Sequence, residues 1–305
     1  MISIVIPMYN EQDSVKPLYE QLISVLSKLE NYEIIFIDDG STDATIERIK
    51  EINDRNVQVI QFQRNFGKAA ALSCGFSNAK GDIIITMDGD LQDDPKEIPR
   101  FLEELKQYDM VSGWKFKRHD PMKKIIPSKF FNWLSTIVTG INIHDSNCGF
   151  KAYRSYVIKD LNLYGELHRY IPALVYWKGY SIGEIKVEHR ARMYGKSKYG
   201  VERLIKGFFD LITVKFLMSY TDRPLHLFGG IGVVSVSFGI IISLYLFYEW
   251  LRGIGIGNRP LLIFGILLLI TGIQFISLGL IGELITNTHK NKEWTIKWKK
   301  GDSNE

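Results

Sequence analysis

Two long uncharged segments, residues 227–248 and 261–282, restrict the possible folds of this chain more than any other feature. Each is close to the roughly 20 apolar residues that a helix needs to cross a bilayer. The second segment holds fifteen Leu, Ile or Phe residues, which together favour membrane insertion by about 7 kcal/mol. Because the loop at 252–260 is short, we expect a helical hairpin in the membrane, with two buried core helices as the alternative.

Basic residues follow the second segment in HKNKEWTIKWKK, residues 289–300. Positive charge beside a membrane-spanning helix marks the cytoplasmic side, so we expect this tail in the cytoplasm. A hairpin returns the chain to its starting side, which places the larger N-terminal part there as well. The sequence therefore predicts four regions: a soluble domain over 1–200, an interfacial amphipathic region over 201–222, a transmembrane hairpin over 223–286 and a basic tail over 287–305.

Composition argues against several classes of protein. The chain has 305 residues and a formal net charge of +4, so bulk charge gives no reason to expect a nucleic-acid partner. Its two cysteines, Cys74 and Cys148, are far apart in sequence, and neither a disulfide framework nor a zinc site is predicted. The N-terminal stretch MISIVIPMYNEQ has no basic region before its short apolar run, so we do not expect a signal peptide.

Short apolar runs alternate with amphipathic segments through the first part of the chain. After the first run, for example, Val15, Leu18 and Leu22 recur at helical spacing. Five runs have the length and composition of buried strands: residues 2–6, 33–37, 57–62, 82–87 and 109–114. Strands that alternate with helices predict an α/β fold, with a Rossmann-like, mostly parallel sheet covered on both faces.

Polar side chains follow each of the first four predicted strands. They are Tyr9, Asn10 and Glu11, then Asp38 and Asp39, then Arg64 and Asn65, and finally Asp88 and Asp90. Because ligands of such sheets bind at the carboxyl ends of the strands, we expect these groups to form one binding site. A dinucleotide cofactor is not expected, since PMYNEQ follows the first strand where a G-x-G-x-x-G motif would be required.

The stretch TMDGDLQDDP, residues 86–95, places four carboxylates directly after a buried strand. Two like charges about 4 Å apart repel by roughly 4 kcal/mol at an effective dielectric of 20, so a cation is expected nearby. Asp88 and Asp90 are two residues apart and point to one side of an extended segment, which suits an oxygen-seeking divalent cation. Asp93 and Asp94 are interpreted as caps of a helix that starts at Pro95.

Four motifs in this order, PMYNE, DDGSTD, RNFGK and DGDLQ, resemble those of family 2 glycosyltransferases of the GT-A fold. More narrowly, RMYGKSKYG and SYTDRPLHLFGG, followed by a hairpin, match the layout of polyprenyl-phosphate glycosyltransferases, the dolichyl-phosphate mannose synthase group and its bacterial undecaprenyl-phosphate relatives. The resemblance implies metal-dependent, inverting transfer of a hexose from a nucleotide-diphospho-sugar, with UDP favoured, to a polyprenyl phosphate. It also implies a role in cell-envelope glycan synthesis at the cytoplasmic face of a bacterial inner membrane.

The resemblance also implies roles for individual residues. The donor nucleotide would contact Pro7, Tyr9, Asn10, Glu11, Asp38, Asp39, Arg64, Lys68, Asp88 and Gly89. Mg²⁺ or Mn²⁺ would bind Asp88 and Asp90, and the catalytic set would be Asp88, Asp90, Gln92 and Asp145. The acceptor phosphate or the diphosphate would contact Lys115, Arg118, Lys129, Arg192 and Lys198. Structural alternatives stay open: capping for Asp38 and Asp39, turn formation for Asp145, solvation at a helix start for Lys68 and a basic surface facing anionic lipid for the other cations.

Other functions remain in view. A GDP-mannose-dependent polyprenyl-phosphate mannosyltransferase and a non-catalytic membrane partner of a lipid-glycan assembly system are the two alternatives. A processive polysaccharide synthase is disfavoured, because the chain has no Q-x-x-R-W motif and only one predicted hairpin. The sequence leaves the sugar, the base and the oligomeric state open, although the glycines in both apolar segments allow a homo-oligomer.

Overall fold

A computed structural model describes residues 1–29, 31–116, 136, 140–141, 143–159, 161, 163–188, 190, 211–216, 218–220 and 223–288. Contacts divide the chain into two compact units, Met1–Val214 and Lys215–Glu305. The finer predicted boundaries at residues 200 and 222 lie outside the described residues and stay predictions. The same holds for most of the predicted interfacial region, of which only residues 211–216 and 218–220 are described, as helix.

The first unit contains a seven-stranded sheet. Its strands are β1 (Ile2–Met8), β2 (Tyr32–Asp38), β3 (Val57–Gln61), β4 (Ile83–Thr86), β5 (Met110–Lys115), β6 (Lys151–Arg154) and β7 (Ile182–Val187). The spatial order is β3-β2-β1-β4-β6-β5-β7. Only β6 is antiparallel to its two neighbours, so the predicted mostly parallel α/β fold is confirmed. The strands β6 and β7 were not predicted.

Helices connect these strands and cover the sheet. They are α1 (Val15–Leu26), α2 (Thr45–Lys50), α3 (Lys68–Asn78), α4 (Ile98–Glu104), α5 (Ser155–Lys159) and α6 (Ile171–Trp177), with 3-10 turns at Pro95–Glu97 and Leu167–Tyr170. The predicted apolar face of α1 is buried: Val15, Leu18 and Leu22 are all fully shielded from solvent. Burying one such side chain contributes about 1.5–3 kcal/mol, which fixes α1 against the sheet.

The order of the strands creates a crevice between β1 and β4. The chain moves outward from β1 through β2 to β3 and then returns to β4 on the other side of β1. Connections therefore leave the carboxyl ends of β1 and β4 in opposite directions, which is where such sheets bind ligands. Val5 pairs with Thr86, so β1 reaches three residues further than β4 and its end overhangs the DGDLQ loop.

The second unit contains two long helices, α7 (Pro224–Leu251) and α8 (Pro260–Thr288). Their mean hydropathy over the most apolar window is 2.2 and 2.5, and only 17% and 11% of those windows are buried. Core helices of a soluble protein would be mostly buried, so that alternative does not fit the described helices. Their length, composition and exposure are those of a membrane-spanning hairpin, as predicted.

Glycines let the two helices of the hairpin approach each other closely. A Cβ atom at Gly232 would lie 2.7 Å from the carbonyl oxygen of Gly272, and one at Gly239 would lie 3.0 Å from that of Gly265. Small residues at such positions allow the backbone contact that holds helices together in lipid. At the end where the chain turns, the Glu249 carboxylate lies 3.5 Å from the guanidinium of Arg259.

Candidate active site

The loops that follow β1 and β2 are tied together at the carboxyl edge of the sheet. The Asn10 amide donates to Ser41 Oγ at 2.9 Å, and the Asn10 side-chain oxygen accepts from the Thr42 amide at 2.8 Å. The Glu11 amide donates to Thr45 Oγ1 at 2.9 Å. Asn10 adopts a positive φ of 54°, a conformation that Asn tolerates better than most residues. Asn10 therefore positions its neighbours Tyr9 and Glu11 at this edge.

The two carboxylates at the end of β2, Asp38 and Asp39, bind backbone amides. Asp38, which is fully buried, accepts from the Ser41 amide at 3.3 Å. The Asp39 oxygens accept from the amides of Phe66 and Gly67 at 2.7 and 3.0 Å. Burial raises the pKa of Asp39, although these two hydrogen bonds act to lower it. Both side chains hold loops in place, and their predicted contact with a donor base stays a prediction.

Gly40 allows the loops after β2 and β3 to meet. Its φ of +69° is a left-handed conformation, and a Cβ atom there would lie 2.7 Å from the Asn65 amide nitrogen. Any other residue would meet both backbone strain and a steric clash. This contact sets the course of the loop that carries Arg64, whose guanidinium lies 4.6 Å from the ring centre of Phe66, and that leads into α3 at Lys68.

Asp88, the first carboxylate after β4, lies among lysines. The Lys68 ammonium forms an ion pair with Asp88 Oδ1, and both side chains are a little over one quarter exposed. Burial acts to raise the pKa of Asp88, but attraction to Lys68 and Lys115 outweighs it and lowers that pKa well below its usual range. A Cβ atom at Gly149 would lie 2.5 Å from the Asp88 carboxylate, so a glycine is required beside it. Asp88 is therefore an ionised and closely fitted group.

Asp93 does not cap a helix, contrary to the prediction. Its side chain is completely buried, accepts from the Asp88 amide at 3.4 Å and lies 3.4 Å from the Lys115 ammonium. Burial acts to lower the pKa of Lys115, but the Asp93 carboxylate outweighs it and raises that pKa. Asp94 does cap the turn at Pro95, because its Oδ1 accepts from the Lys96 amide at 3.1 Å. Two adjacent aspartates thus have different roles, which the sequence alone does not distinguish.

The rest of the DGDLQ loop is joined to the chain that follows β7. Asp90 is buried and accepts from the Gln92 amide at 3.2 Å. The Arg190 amide donates to the Gln92 carbonyl oxygen at 3.0 Å, and the Gln92 side chain donates to the Arg190 carbonyl oxygen at 3.4 Å. The Arg190 guanidinium also pairs with Asp94. Sequence reasoning missed Arg190, although it lies two positions before the predicted Arg192.

Asp145 completes the acidic groups of the site. It is 2% exposed, and its amide donates to Glu184 Oε1 at 3.4 Å. Its charge helps to raise the pKa of Lys115, after the larger effect of Asp93, so it belongs to the same electrostatic cluster. The structure therefore brings together the predicted Asp88, Asp90, Gln92, Asp145, Lys68 and Lys115. Lys115 is mostly buried beside Asp93, a different partner from the predicted acceptor phosphate.

Two further residues beside Asp88 were not predicted. Lys151 is 2% exposed, and its ammonium bonds to the Cys148 carbonyl oxygen. Burial lowers the pKa of Lys151, and burial followed by nearby Lys68 lowers that of His168. Both line a cavity of about 10 Å³ with Lys68, Thr86 and Tyr153, room for roughly one water molecule. Lys151 lies on β6 and His168 lies in the turn at Leu167–Tyr170. Neither element was predicted, so both residues were missed.

The remaining predicted residues are placed as follows. Pro7 and Gly89 lie next to each other, since a Cβ atom at Gly89 would be 3.3 Å from the Pro7 carbonyl oxygen. The ends of β1 and β4 therefore meet at the crevice. Four predicted cationic residues lie outside the described residues: Arg118, Lys129, Arg192 and Lys198.

The acidic groups fit a divalent cation only with help from a ligand. Among the described residues, no group of three or more His, Cys, Asp or Glu side chains has an arrangement that could hold a metal ion. Asp88 and Asp90 offer hard oxygen donors, and Mg²⁺ is commonly held by one or two carboxylates together with substrate phosphates. Lysine side chains of the protein offset part of the negative charge. They therefore supply part of the positive charge that the sequence predicts beside these carboxylates.

The fold and the acidic edge of the sheet define a GT-A glycosyltransferase domain. The chain superimposes on a crystal structure of glucosyl-3-phosphoglycerate synthase from Mycobacterium tuberculosis in complex with Mn²⁺, uridine diphosphate and phosphoglyceric acid. The TM-score is 0.59, at 16% sequence identity, over 72% of this chain and 78% of that chain. At this identity the likeness establishes the fold alone.

The family model of glycosyl transferase family 2 matches residues 3–162, and the chain belongs to this family of glycosyltransferases. It is 41% identical to dodecaprenyl-phosphate galacturonate synthase of Rhizobium johnstonii over 94% of this chain and 88% of the relative. It is 36% identical to undecaprenyl-phosphate 4-deoxy-4-formamido-L-arabinose transferase of Edwardsiella ictaluri over 93% of this chain and 88% of the relative. The predicted family is confirmed.

Proposed function

We propose that this enzyme transfers a sugar from a nucleotide-diphospho-sugar, with UDP as the favoured nucleotide, to a polyprenyl phosphate. The supporting observation is the extent of similarity to two relatives whose names specify dodecaprenyl-phosphate and undecaprenyl-phosphate. Coverage above 90% of this chain extends past the catalytic unit into the hairpin. A hairpin has a clear use here, because it holds the enzyme at the surface where a polyprenyl tail is embedded.

The donor would bind at the crevice between β1 and β4. Tyr9 and Glu11 would lie beside the nucleoside, and the diphosphate would lie near Lys68, Asp88 and Asp90. A UDP donor and a divalent cation are supported by the structural neighbour, which was crystallised with Mn²⁺ and uridine diphosphate. Bound by Asp88, Asp90 and the diphosphate, Mg²⁺ or Mn²⁺ would stabilise the negative charge of the leaving nucleotide.

The acceptor needs little activation by the protein. A phosphate monoester is ionised near pH 7, so its oxygen can attack the anomeric carbon without a strong general base. Attack opposite to the leaving nucleotide inverts the anomeric configuration. Asp145 and Gln92 would orient the sugar and the acceptor, while Lys115, paired with Asp93, would offset the charge at Asp88. Arg118, Lys129, Arg192 and Lys198 stay predicted phosphate contacts.

The two relatives differ in the sugar that their names specify, so the donor must be found by experiment. The full chain in lipid vesicles would receive undecaprenyl phosphate, Mg²⁺ or Mn²⁺ and one labelled donor at a time. The donors are UDP-galacturonate, UDP-4-deoxy-4-formamido-L-arabinose, UDP-glucose and GDP-mannose. We expect a labelled lipid with one of the UDP-sugars and its loss when the metal is chelated.

Each other result would change the proposal in a defined way. A product from GDP-mannose alone would make the enzyme a polyprenyl-phosphate mannosyltransferase. Binding of a donor without turnover on any polyprenyl phosphate would favour a non-catalytic partner in lipid-glycan assembly. Product formation that persists after chelation would remove the metal from the mechanism. A separate experiment tests the expectation that the catalytic unit lies in the cytoplasm: its accessibility to protease is measured in sealed vesicles.

A further inference from the structure

One polar side chain lies at the centre of the second membrane-spanning helix and points away from the first. Gln274 is fourteen residues from either end of α8 (Pro260–Thr288) and is exposed. The hydrocarbon core of a bilayer takes up about 20 residues of a helix. Gln274 therefore lies near the middle of the membrane, where water is not available to its carboxamide.

The contact with α7 uses the opposite face of α8. Cβ atoms added at Gly265 and Gly272 would lie 2.8 Å from Ile242 and from the carbonyl oxygen of Gly232, respectively. At about 100° per residue, Gln274 is roughly 200° around the helix from Gly272. Its neighbours on the outer face include Ile270 and Ile281, which are 51% and 54% exposed.

The Gln274 carboxamide makes no hydrogen bond to any residue that the structure describes. Two serines of α7 differ from it, because Ser237 and Ser243 donate to carbonyl oxygens four residues earlier in their own helix, at 2.8 and 2.7 Å. An amide in hydrocarbon is costly unless it is hydrogen-bonded. A partner for Gln274 must therefore come from outside the hairpin.

We propose that the outer face of α8, centred on Gln274, binds the same face of a second copy of this chain. Two copies inserted in the same direction place their Gln274 side chains at the same depth. A carboxamide contains both donors and an acceptor, so two of them form a reciprocal pair across a two-fold axis. A different membrane protein would need a polar group matched to this depth, whereas a second copy supplies one automatically. This inference does not depend on the donor or the acceptor proposed above.

The test measures association of the full chain in phosphatidylcholine vesicles. Two preparations, labelled with a donor or an acceptor dye at the C-terminus, are mixed over a range of protein-to-lipid ratios, and energy transfer is recorded. We expect wild-type transfer above that of randomly distributed chains. Gln274→Leu should raise the half-maximal protein-to-lipid ratio about 3- to 20-fold, the range of one or two interhelical hydrogen bonds in lipid.

Two variants separate the amide pair from general packing. Gln274→Asn keeps a carboxamide and should retain most of the association. Ser237→Ala removes a hydroxyl that is already bonded within α7, and it should leave association unchanged. The proposal is overturned if wild-type chains show only random transfer, as they would if another protein covered this face. It is also overturned if Gln274→Leu matches the wild type or if Ser237→Ala weakens association equally.

Discussion

The two halves of the sheet stabilise the carboxylates at their carboxyl edge in different ways. On the β1–β3 side, the oxygens of Asp38 and Asp39 accept backbone amides of nearby loops. On the β4–β7 side, Asp88 and Asp93 are paired with Lys68 and Lys115. A carboxylate bound by amides fixes the course of a loop. A carboxylate paired with a lysine can instead exchange partners when another cation or a phosphate arrives.

This difference separates a part of the site that is held by backbone hydrogen bonds from a part that is held by ion pairs. In the proposed donor complex, the amide-bound side would determine where the nucleoside lies, because its loops carry Tyr9, Glu11 and Arg64. The lysine-paired side contains the groups that would meet the charged diphosphate. If a divalent cation binds Asp88 as proposed, Lys68 would lose its present partner and would become available to a phosphate oxygen. The following variants test whether the two sides behave so differently.

The largest effect is expected at Asp88. Asp88→Asn should lower turnover about 1,000-fold, since it would remove the charge of a proposed metal ligand where negative charge would develop on the leaving group. Asp82→Asn is a matched control, because Asp82 precedes the same strand, is highly exposed and pairs only with the terminal amine among the contacts described. It should leave turnover unchanged. Turnover by Asp88→Asn within tenfold of the wild type would show that Asp88 is not a metal ligand.

The second effect concerns stability on the lysine-paired side. Lys115→Met should destabilise the catalytic unit by about 3 kcal/mol, because removing one partner leaves the other charge buried. At about 2–4 °C per kcal/mol, the full chain in detergent should unfold roughly 6–12 °C lower. Adding Asp93→Asn should restore part of this loss. Lys68→Met breaks a more exposed pair and should cost less than about 1 kcal/mol. Equal losses for Lys115→Met and Lys68→Met would contradict the assigned difference in burial.

The third effect tests whether Asp39, on the amide-bound side, holds a loop in place or contacts the donor base directly. Asp39→Asn removes one of two acceptors for the Phe66 and Gly67 amides, so stability should fall by about 1–2 kcal/mol. Because this loop leads to Lys68, the KM for the donor should rise roughly tenfold together with the loss of stability. Asp38→Asn is the control and should have a smaller effect on both. If donor binding were lost at an unchanged unfolding temperature, Asp39 would be a direct contact of the base.

Much of the fold could be predicted because the hydrophobic pattern of a long segment shows, from local sequence alone, which of its residues are shielded from water. The face of α1 and the two uncharged segments are of this kind. Strand β6 has only four residues, too few to show alternation, and it was missed. Strand β7 does alternate, with Gly183, Ile185 and Val187 more buried than Ile182, Glu184 and Lys186, so this signal was available. The positions of the site residues at strand ends followed from the rule for parallel sheets.

The partners of the site residues could not be predicted, because they depend on long-range packing. Lys68 and Asp88 are twenty residues apart in sequence, and Arg190 meets the DGDLQ loop from the other end of the catalytic unit. The repulsion argument correctly required a cation beside Asp88. It could not tell a metal from a lysine, since both satisfy the same electrostatic need. The partners of Asp93 and Asp94 also depend on long-range packing, so the different roles of these two residues could not be predicted.

The smallest effect is expected in the pH dependence of stability. It depends on the mostly buried His168, whose ring lies near the cations of the β4–β7 side. Burial and nearby Lys68 lower the pKa of His168, so the folded protein keeps this ring neutral. Below about pH 6.5 the unfolded chain takes up a proton that the folded chain does not. Stability is therefore complete above that pH and falls by at most about 1.4 kcal/mol per unit as the pH decreases towards the folded pKa.

His168→Gln removes this titration and keeps a polar side chain. Between pH 7.5 and 5.5 its unfolding temperature should fall less than that of the wild type, by a few degrees at about 2–4 °C per kcal/mol. His144→Gln is the matched control, since the His144 side chain is 53% exposed and 2.9 Å from Glu184, and it should retain the acid sensitivity linked to His168. An identical pH dependence in His168→Gln and the wild type would mean that the ring accepts a proton in place, which the surrounding lysines of the β4–β7 side should prevent.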